Sequence, residues 1–460
     1  MVKYNPSFRG RKDGNFLNIL LVAPGTDNLQ RKVRVVPFPQ ASLPLLAALT
    51  PSHHEVKIID ERLENIDFDG KWDLVGITVM TATAYRAYYI ADEFRKRGTK
   101  VALGGIHPTA LPDEAIQHAD SVVIGEAEGL WEELLGDLEE GKLKKFYRHD
   151  CPPPLAGLPC SRLDLLDKRY LLRHVFQTTR GCPHNCGFCS VSTFMGRRYR
   201  HRPVEEVIEE IGHYPNARIL GFLDDNIVGN PHYSRELFQA LIPLRKKWAS
   251  QGTLKLAENE ELLKLAAKSG CIALFVGLES VNEDNLKKMH KNFNQVDKYK
   301  KLIDRFHEYG IMVIGSFVFG FDEDDYSIFD RTLNFLESAN LDFAQFSILT
   351  PLPGTEVFKQ FTAEERIFSY DWRKYDFAHV VYHPLRMTPQ ELQDGYNYIS
   401  RQFYSLPRIG KRTIRNWRYA HYFLPASIYY HWVCRHPKSL PEEAASAPLS
   451  LKDKKQSPVV

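Results

Sequence analysis

The sequence predicts an α/β protein built from two successive sets of parallel strands, each strand joined to the next by a helix. The chain is 460 residues long, which is enough for two or three domains. Short apolar segments alternate with amphipathic segments through the first 140 residues, and the alternation resumes at His174. Between these regions lies CPPPLAGLPC, a proline-rich stretch typical of a linker. We therefore predict a first domain over residues 1–150, a linker over 151–170 and a second domain over 171–360.

The first region predicts a small doubly wound domain. Its predicted strands are LNILLVAPG, HEVKIID, DLVGITVM, KVALGG and SVVIGEAE, with helices at AYYIADEFRKRG and GLWEELLGDLEEG. Ligands of such sheets bind beyond the carboxyl ends of the strands. Paired glycines at these ends let a backbone approach a ligand closely. The candidate ligand-binding residues at the predicted strand ends are Thr81, Thr83, Gly104, Gly105, His107 and Glu126.

The second region predicts a partial barrel. Helical segments separate six apolar segments: HVFQTT, RILGFLDD, TLKLA, CIALFVGLES, IMVIGSFVFG and FAQFSILT. Six strand–helix units give an open (β/α)6 version of the barrel that closes with eight, and its sites belong at the carboxyl ends of the strands. A small α+β region is expected over residues 361–440. Residues 441–460 are too polar to bury a core and are expected to be disordered.

Charge and hydropathy limit the partners. The chain has 60 Lys and Arg against 57 Asp and Glu, so positive and negative charges nearly balance. The net charge therefore does not predict a nucleic-acid partner. No apolar run approaches the roughly 18 residues that a membrane span needs, and the polar first residues do not resemble a signal peptide. We therefore expect a cytoplasmic protein. Residues 401–440 contain eight Lys or Arg, no Asp or Glu and many aromatic side chains, so this segment either packs on its own domain or contacts an anionic membrane surface.

Three cysteines lie within eight positions of one another in RGCPHNCGFCS, directly after the first predicted barrel strand. Clustered thiolates in a chain without a disulfide framework indicate a metal site. A structural zinc ion takes four ligands, and the fourth would have to be His184 or a distant residue. A four-iron, four-sulfur cluster held by Cys182, Cys186 and Cys189 would instead keep one iron open to another ligand.

These residues resemble the signature of a known family. CPHNCGFC is similar to the C-x-x-x-C-x-aromatic-C motif of radical S-adenosylmethionine (SAM) enzymes, and its place after the first barrel strand is similar too. The resemblance implies that the three cysteines hold a 4Fe–4S cluster whose open iron binds SAM. It also implies cleavage of SAM to a 5′-deoxyadenosyl radical, which takes a hydrogen atom from an unactivated carbon. The cofactors then supply the difficult chemistry, and the protein supplies position and exclusion of water.

The resemblance also implies roles around SAM. Phe188 resembles the aromatic residue beside the adenine, and FLDDN, at the end of the second strand, lies where the family binds the methionine amino group. The family's usual double glycine and glutamate are absent there, so neither aspartate of FLDDN is singled out. Glu279 resembles the polar group near the ribose or the methionine end, and two glycines of GSFVFG resemble those beside the adenine. The residues implied to bind SAM are Phe188, Asp224, Asp225, Asn226, Glu279, Gly315 and Gly320.

A doubly wound domain placed before the barrel resembles the cobalamin-dependent members of this family, through GGIHPTALPDE and IGEAEG. The candidate residues at the strand ends of the first domain would then bind cobalamin. The D-x-H-x-x-G motif, which supplies a lower histidine ligand to cobalt in mutases, is absent. ILTPLPGT and DWRKYDFAHVV most resemble hopanoid and bacteriochlorophyll methyltransferases. This implies methylation of an unactivated carbon in a lipophilic small molecule, with electrons from a low-potential donor such as ferredoxin or flavodoxin.

Three other activities are compatible with parts of this pattern. A radical cyclase or oxidoreductase would use the same cofactors without transferring a methyl group. A methylthiotransferase of transfer RNA shares the cluster motif, but residues 1–150 contain no cysteine, where that family has three. A non-catalytic cobalamin or redox sensor would bind the cofactors without cleaving SAM. The sequence favours the carbon methyltransferase.

Overall fold

The computed structural model describes residues 16–26, 38–196, 198–417 and 420–436. The predicted tail at 441–460 and the first residues of the predicted first domain lie outside this part of the chain. Two six-stranded parallel sheets carry the fold, and they follow one another along the sequence. The predicted fold class, a doubly wound domain followed by a partial barrel and a small C-terminal region, is confirmed.

The first sheet has parallel strands joined by helices. Its strands are β1 (Asn18–Ala23), β2 (Glu55–Asp60), β3 (Leu74–Thr78), β4 (Lys100–Gly104), β5 (Ser121–Ile124) and β6 (Phe146–Arg148). Its helices are α1 (Ser42–Leu49), α2 (Ala84–Lys96), α3 (Ile106–Ala110), α4 (Pro112–Ala115) and α5 (Leu130–Glu139). The strand order is β2-β1-β3-β4-β5-β6, so the winding reverses between β1 and β3, as in doubly wound sheets.

Both faces of the first sheet are covered, because its central strands are apolar on both sides. In β1, Leu20 and Val22 pack in the core that includes α2, whereas Ile19 and Leu21 pack with α1 and α5. Continuous apolar strands of this kind are typical of parallel sheets with helices on both faces. The carboxyl ends of the strands are left as the edge at which loops can meet a ligand.

The second sheet is an open barrel. Its strands are β7 (Val175–Phe176), β10 (Ile219–Phe222), β11 (Lys247–Gly252), β12 (Cys271–Glu279), β13 (Met312–Phe319) and β14 (Phe343–Ile348). The helices between them are α7 (Val204–Gly212), α8 (Pro231–Leu241), α9 (Glu260–Lys268), α10 (Glu283–Lys288), α11 (Val296–Glu308) and α12 (Ile328–Ser338). The strands pair in sequence order, with β7 and β14 at the two edges, so the predicted (β/α)6 arrangement is confirmed.

The third barrel strand begins earlier than the sequence predicts. TLKLA is predicted to be a strand, but Leu254–Glu258 forms a 3-10 helix and the strand is β11, with the sequence KWASQG. The prediction was wrong because β11 exposes Lys247 and Gln251 while Trp248 is buried, so this strand looks polar in sequence. The apolar residues of TLKLA, such as Leu256, are instead buried in the core next to α9 and α11.

A short antiparallel pair lies between β7 and β10. It consists of β8 (Thr179–Arg180) and β9 (Arg200–His201), and the helix α6 (Ser190–Phe194) lies between them along the chain. The helix packs against α3 of the first domain. The loop from β8 to α6 therefore lies where the two domains meet.

The linker and the C-terminal region are packed against both sheets. In the linker, Leu163 and Tyr170 are buried, and the Tyr170 hydroxyl donates to Asp60 Oδ2 over 2.7 Å. The C-terminal region has one isolated antiparallel bridge, between Ile367 and Tyr382, within its described residues. Its helices are α13 (Glu356–Ala363), α14 (Pro389–Phe403), α15 (Leu406–Arg415) and α16 (Ala420–Val433).

The helix α16 covers the amino end of the barrel. Its Phe423 packs against Ile272 and Ala273, at the start of β12, and against Met312, at the start of β13. Among the described residues, no helix combines the length and the apolar character needed to cross a bilayer. The opposite end of the barrel, where the strands finish, faces the first domain.

Candidate functional site

The three cysteines lie in the loop from β8 to α6, at the carboxyl end of the barrel. All three thiols are partly buried, and the backbone N–H of Cys189 donates to the carbonyl of Cys186 over 3.0 Å. Burial raises the pKa of the Cys186 thiol to about 11, and the neighbouring Cys182 and Cys189 thiols contribute in the same direction. The thiols thus form one group, and a metal that binds them has to displace their protons.

Two aspartates that follow β10 lie beside the cysteine loop in different surroundings. Asp224 is fully buried, and its Oδ1 atom accepts from the Thr178 hydroxyl over 2.9 Å, from the Thr179 hydroxyl over 2.6 Å and from both backbone N–H groups. Asp225 is only partly buried and lies beside the N–H of Gly181. Burial raises the pKa of each carboxyl to about 6. Asp224 therefore ties β10 to the segment that leads into the cysteine loop, while Asp225 lies nearer the surface of that loop.

Two buried oxygen atoms beside the cysteines have no hydrogen-bond partner. They are Oδ2 of Asp224 and Oδ1 of Asn226. The Asn226 side chain lies beside the Cys182 thiol, and its backbone carbonyl accepts from the Tyr199 hydroxyl over 3.0 Å. Buried polar atoms are nearly always paired in folded proteins. The unpaired Asn226 oxygen therefore indicates that a donor group belongs next to the cysteine loop.

An ion pair is held against the end of β12. Lys291 Nζ lies 2.5 Å from Glu279 Oε1, and both side chains are about nine-tenths buried. Glu279 adopts a left-handed backbone conformation, with φ at 64°, which is strained for this residue type. A Cβ on Gly277 would collide with the Glu279 carboxylate, so only glycine leaves room for the pair. The sequence pattern singled out Glu279 but gave no signal for Lys291.

The aromatic residue of the cysteine motif lies near the end of β13. The ring centroids of Phe188 and Phe321 are 5.9 Å apart, so the cysteine loop meets the residue that follows Gly320. Gly320 itself is enclosed, because a Cβ there would collide with the Tyr382 hydroxyl. Gly315 is enclosed as well, beneath side chains of the barrel wall. Close packing within the protein thus explains why both positions are glycine. Of the residues predicted to lie around the adenine, the structure brings together Phe188 and the end of β13.

The strand ends of the first domain hold a buried polar network. The His107 side chain is fully buried, with Nδ1 lying 3.4 Å from the Thr81 hydroxyl and Nε2 3.2 Å from Glu114 Oε1. Glu114 also accepts from the Trp372 indole N–H over 3.1 Å. The Thr83 hydroxyl is used locally, in bonds to the backbone of Met80. Because both imidazole nitrogens are engaged, His107 offers no free nitrogen to a cobalt ion in this arrangement.

Glycines occupy the ends of two neighbouring strands, β4 and β5. Gly105 has φ at 104°, and a Cβ there would lie within 2.9 Å of the Val79 backbone, so only glycine fits. At the end of β5, Gly125 has φ at 88°, and a Cβ there would have no heavy atom within 4 Å. Gly104 is the last residue of β4 and is similarly uncrowded. Gly104 and Gly125 thus leave backbone, rather than side chains, exposed at these strand ends, whereas Gly105 is required by packing against Val79.

A buried ionic bridge joins this edge to the cysteine loop. Arg180 Nη1 lies 2.7 Å from Glu126 Oε2, and Arg180 Nη2 lies 2.5 Å from Glu128 Oε1. Arg200 also pairs with Glu126, and it donates to the Pro153 carbonyl over 2.7 Å. The four ionic side chains are about nine-tenths buried. The Glu126 carboxylate, predicted to meet a ligand, is thus occupied by two arginines that sequence reasoning missed.

Comparison with known proteins gives matches to both halves of the chain. The profile of the Radical SAM superfamily matches residues 176–336, and the profile of the B12 binding domain matches residues 36–135. The first match contains the cysteine loop, β10 and β12. The second contains the strand ends from β3 to β5.

Relatives with named activities match most of the chain. The bacteriochlorophyllide d C-12(1)-methyltransferase of Chlorobaculum tepidum is 33% identical over 386 residues, which are 81% of this chain and 84% of the relative. The bacteriochlorophyllide d C-8(2)-methyltransferase of the same organism is 32% identical over 83% of this chain and 88% of its own length. An anaerobic magnesium-protoporphyrin IX monomethyl ester cyclase of Cereibacter sphaeroides is 26% identical over 72% of this chain and 60% of its own length.

Two solved structures share the fold. The cobalamin-dependent SAM radical enzyme OxsB has a TM-score of 0.67 at 14% identity, over 91% of this chain and 72% of its own. The radical SAM methyltransferase TsrM from Kitasatospora setae, solved with cobalamin and a [4Fe-4S] cluster, has a TM-score of 0.61 at 18% identity, over 76% of this chain and 75% of its own. At these identities the likeness shows the fold alone.

Proposed function

The chain belongs to the cobalamin-dependent radical SAM methyltransferases, and from that premise we propose that it methylates an unactivated carbon of a large hydrophobic substrate. It is an enzyme whose cofactors are a 4Fe–4S cluster, SAM and cobalamin. When bound, the cluster and SAM supply a carbon-centred radical, and cobalamin supplies the methyl group. One observation carries the proposal: three partly buried thiols, beside Asp225 and Asn226, lie at the barrel end that is bridged to the first domain.

The cysteine loop fits a cluster with one open iron. Cys182, Cys186 and Cys189 would each hold one iron, since thiolates are the usual protein ligands of such clusters. The next cysteine along the chain, Cys271, is at the start of β12, the opposite end of the barrel from the loop. The ring of His184, within the loop, is stacked on Phe293 with 3.8 Å between centroids. Three thiolates without a nearby fourth leave one iron for SAM.

The residues around the loop fit the polar end of SAM. Asp225 and the unpaired Oδ1 atom of Asn226 would accept from its amino group, because carboxylate and amide oxygens suit an ammonium. Asp224 is fully buried, and four hydrogen bonds from Thr178 and Thr179 occupy its Oδ1 atom, so we assign its main role to positioning, with only its unpaired Oδ2 atom left for a donor. Glu279 and Lys291 would lie beside the polar groups of SAM, and Phe188 beside the adenine. We thus assign the two aspartates different roles, one in binding and one in positioning.

The first domain fits cobalamin at the ends of β4 and β5. Gly104 and Gly125 would let the backbone lie against the broad corrin ring, because a side chain there would point into uncrowded space, whereas Gly105 is required by the close approach of the Val79 backbone. The fit does not include His107 as a ligand to cobalt, since both of its nitrogens are hydrogen-bonded. Thr81 would support this edge through His107 rather than contact the ring.

A buried ionic bridge would connect the two proposed cofactor sites. Arg180 lies two residues before Cys182 in sequence, and it is paired with Glu126 and Glu128, which follow β5. The bridge would therefore fix the distance between the cysteine loop and the corrin edge. Its burial also indicates that water is excluded from this junction, which protects a radical from side reactions.

The proposed substrate class rests on the relatives and on exposed apolar groups. The two methyltransferases of Chlorobaculum tepidum are named for bacteriochlorophyllide d. In this chain, Met80 and Tyr85 follow β3, and both are more than a third exposed. Tyr370, which accepts from the Tyr85 hydroxyl through its carbonyl, is exposed as well. A hydrophobic ring system would cover such side chains, so we propose a tetrapyrrole-like or similarly large apolar substrate.

The test is an anaerobic assay of products. Reconstituted protein, cobalamin, a low-potential donor such as reduced flavodoxin and SAM with a deuterated methyl group are mixed with candidate substrates, and products are quantified by mass spectrometry. We expect 5′-deoxyadenosine and S-adenosylhomocysteine together, with one deuterated methyl group on the substrate. Neither product from cluster-loaded protein would contradict the proposal and favour a non-catalytic sensor.

A second activity is supported by relatives that are named as cyclases. The magnesium-protoporphyrin cyclase matches 72% of this chain, and the same machinery can end in ring formation. In that case the assay would give 5′-deoxyadenosine without S-adenosylhomocysteine, and the deuterium label would not reach the substrate. The two methyltransferases are more similar to this chain than the cyclase is, so methyl transfer is the activity we propose.

The different roles of the two aspartates can be tested by substitution. Asp225→Asn should weaken binding of SAM at least tenfold, because a charge-assisted hydrogen bond is lost, while the melting temperature changes little. Asp224→Ala should instead lower the stability, because Thr178 and Thr179 lose a shared buried acceptor. Equilibrium binding of SAM to cluster-loaded protein and thermal unfolding separate the two effects. Equal loss of SAM binding at unchanged stability in both variants would contradict the assignment.

A further inference from the structure

A cationic cleft lies between α12 and α15, remote from the cysteine loop. Four of its lining residues are Arg408, Lys411, Arg412 and Arg415, and Glu337 is its one carboxylate. The spacing of three, four and seven residues puts the cations on one face of α15. Like charges on one helix face repel one another. The last turn of a helix favours cations, but Arg408 lies in the first turn, so the helix dipole does not explain the whole row.

Arg412 is the least satisfied of these cations. Its side chain is 8% exposed, and among the described residues it forms no ion pair. Nη1 donates to the Phe403 carbonyl over 2.8 Å, and the guanidinium lies 3.9 Å from the centroid of the Phe403 ring. Nε and Nη2 are buried without a hydrogen-bond partner. Burial lowers the pKa of Arg412 to about 10. The Asp342 carboxylate acts on this guanidinium only through space, so among the described residues Arg412 has no anion in contact with it.

The neighbouring cations are only partly compensated. Arg408 Nε lies 2.7 Å from Glu337 Oε1, and Arg415 donates to the Asn340 side-chain oxygen over 3.1 Å. Lys411 is exposed and forms no ion pair within the described part of the chain. The cleft therefore combines a buried arginine that no anion contacts with further cations at its rim. We propose that this cleft binds a phosphate group, whose several oxygens can accept from Arg412, Lys411 and Arg415 together.

The surroundings favour the headgroup of an anionic phospholipid as the source of the phosphate. Ile414, next to Arg415, is 79% exposed, and Trp417 is 70% exposed. The outward face of α16 continues this surface with Ile428, Tyr429 and Trp432, all more than a third exposed. Aromatic side chains beside cations are typical of helices that lie in the interface of a membrane. The inner face of α16 packs on the barrel, so this helix both packs on its own domain and exposes an aromatic surface.

Binding at this cleft would leave the reaction site accessible. Phe423 of α16 packs at the amino ends of β12 and β13, whereas the cysteine loop lies at the carboxyl end of the barrel. A membrane that contacts α15 and α16 therefore approaches from the side opposite the cysteine loop. The proposal does not depend on the methyltransferase activity, and each can fail without the other.

The experiment uses the full chain and measures two kinds of binding. Thermal unfolding is followed in phosphate-free buffer and with added inorganic phosphate or pyrophosphate. Sedimentation is measured with vesicles of phosphatidylcholine alone and of phosphatidylcholine with phosphatidylglycerol. The variants are Arg412→Met, Lys411→Ala and Arg415→Ala, and Lys264→Ala, an exposed lysine on α9, is the matched control for loss of a charge.

We expect wild-type protein to bind the anionic vesicles and not the zwitterionic ones. Lys411→Ala and Arg415→Ala should each weaken this binding about fivefold, as expected for one basic residue at an anionic surface. Lys264→Ala should bind as the wild type does. Arg412→Met should be at least as stable as wild type without phosphate, because it removes a buried charge that lacks a partner.

The outcomes distinguish the two sources of phosphate. Binding to anionic vesicles that the cleft variants weaken supports a lipid headgroup. A soluble phosphate compound is supported as the ligand if phosphate or pyrophosphate stabilises the wild type, if Arg412→Met loses this stabilisation, and if the protein does not bind vesicles. No response of the wild type to either, or a response that persists in Arg412→Met and Lys411→Ala, would overturn the proposal.

Discussion

Replacing Cys186 with alanine is expected to abolish the iron–sulfur cluster and all turnover. The loop offers only three thiolates, and a cluster that loses one of them has too few protein ligands to be retained. Iron and sulfide content, the visible absorbance of the cluster and the electron paramagnetic resonance signal after reduction all measure the loss. The same result is expected for Cys182→Ala and Cys189→Ala.

The other cysteines provide matched controls. Cys151 is exposed in the linker, and Cys160 and Cys434 are partly buried away from the cysteine loop. Their replacement by alanine should leave the cluster and the products unchanged. Cys271 is not a suitable control, because it is buried in β12 and its loss would leave a cavity. Retention of the full cluster absorbance in Cys186→Ala would rule out the ligand assignment.

Removing the arginine of the ionic bridge is expected to have the largest effect on stability. Arg180→Met leaves the buried carboxylate of Glu128 without its cation, whereas Glu126 keeps its pair with Arg200. Loss of one partner of a buried ion pair costs about 3–5 kcal/mol, because the remaining charge is uncompensated. Urea unfolding should show this loss as a lower midpoint. Because Arg180 also leads into the cysteine loop, we expect the resonance signal of the reduced cluster to change as well.

An exposed ion pair gives the comparison for this substitution. Arg235 and Glu261 are 3.1 Å apart on α8 and α9, and both side chains are exposed. Exposed pairs contribute little, because water and salt screen them. Arg235→Met should therefore leave both the unfolding midpoint and the cluster signal unchanged. A midpoint for Arg180→Met equal to that of Arg235→Met would show that the bridge does not hold the domains together.

Local sequence was enough to predict that the three cysteines lie together. Cys182, Cys186 and Cys189 are close in sequence, and any loop of that length keeps them together. Most strand ends could also be predicted from local sequence, because a strand is recognised as a short apolar run bounded by polar residues. TLKLA shows the limit of this reasoning. Its apolar residues belong to a buried 3-10 helix, while the strand before it, KWASQG, looks polar in sequence although its burial alternates along the strand.

The partners of the site residues could not be predicted, because they are distant in sequence. Lys291 is separated from Glu279 in the chain by the helix α10, and nothing in its local sequence marks it as the partner. Thr178 and Thr179 meet Asp224 because β7 and β10 are neighbours in the sheet. Their positions follow from strand pairing, which local patterns do not specify.

The sequence by itself determined the family, the two-domain α/β architecture and the three thiols, because periodicity and a short motif carry that information. Only the tertiary structure decided which aspartate is buried, that both nitrogens of His107 are engaged and that Glu126 faces two arginines. It also decided that Arg412 is buried without an anion in contact with it. These properties are set by burial and by contacts between residues far apart in the chain, and a charged side chain's role depends on the partners and the water that folding leaves around it.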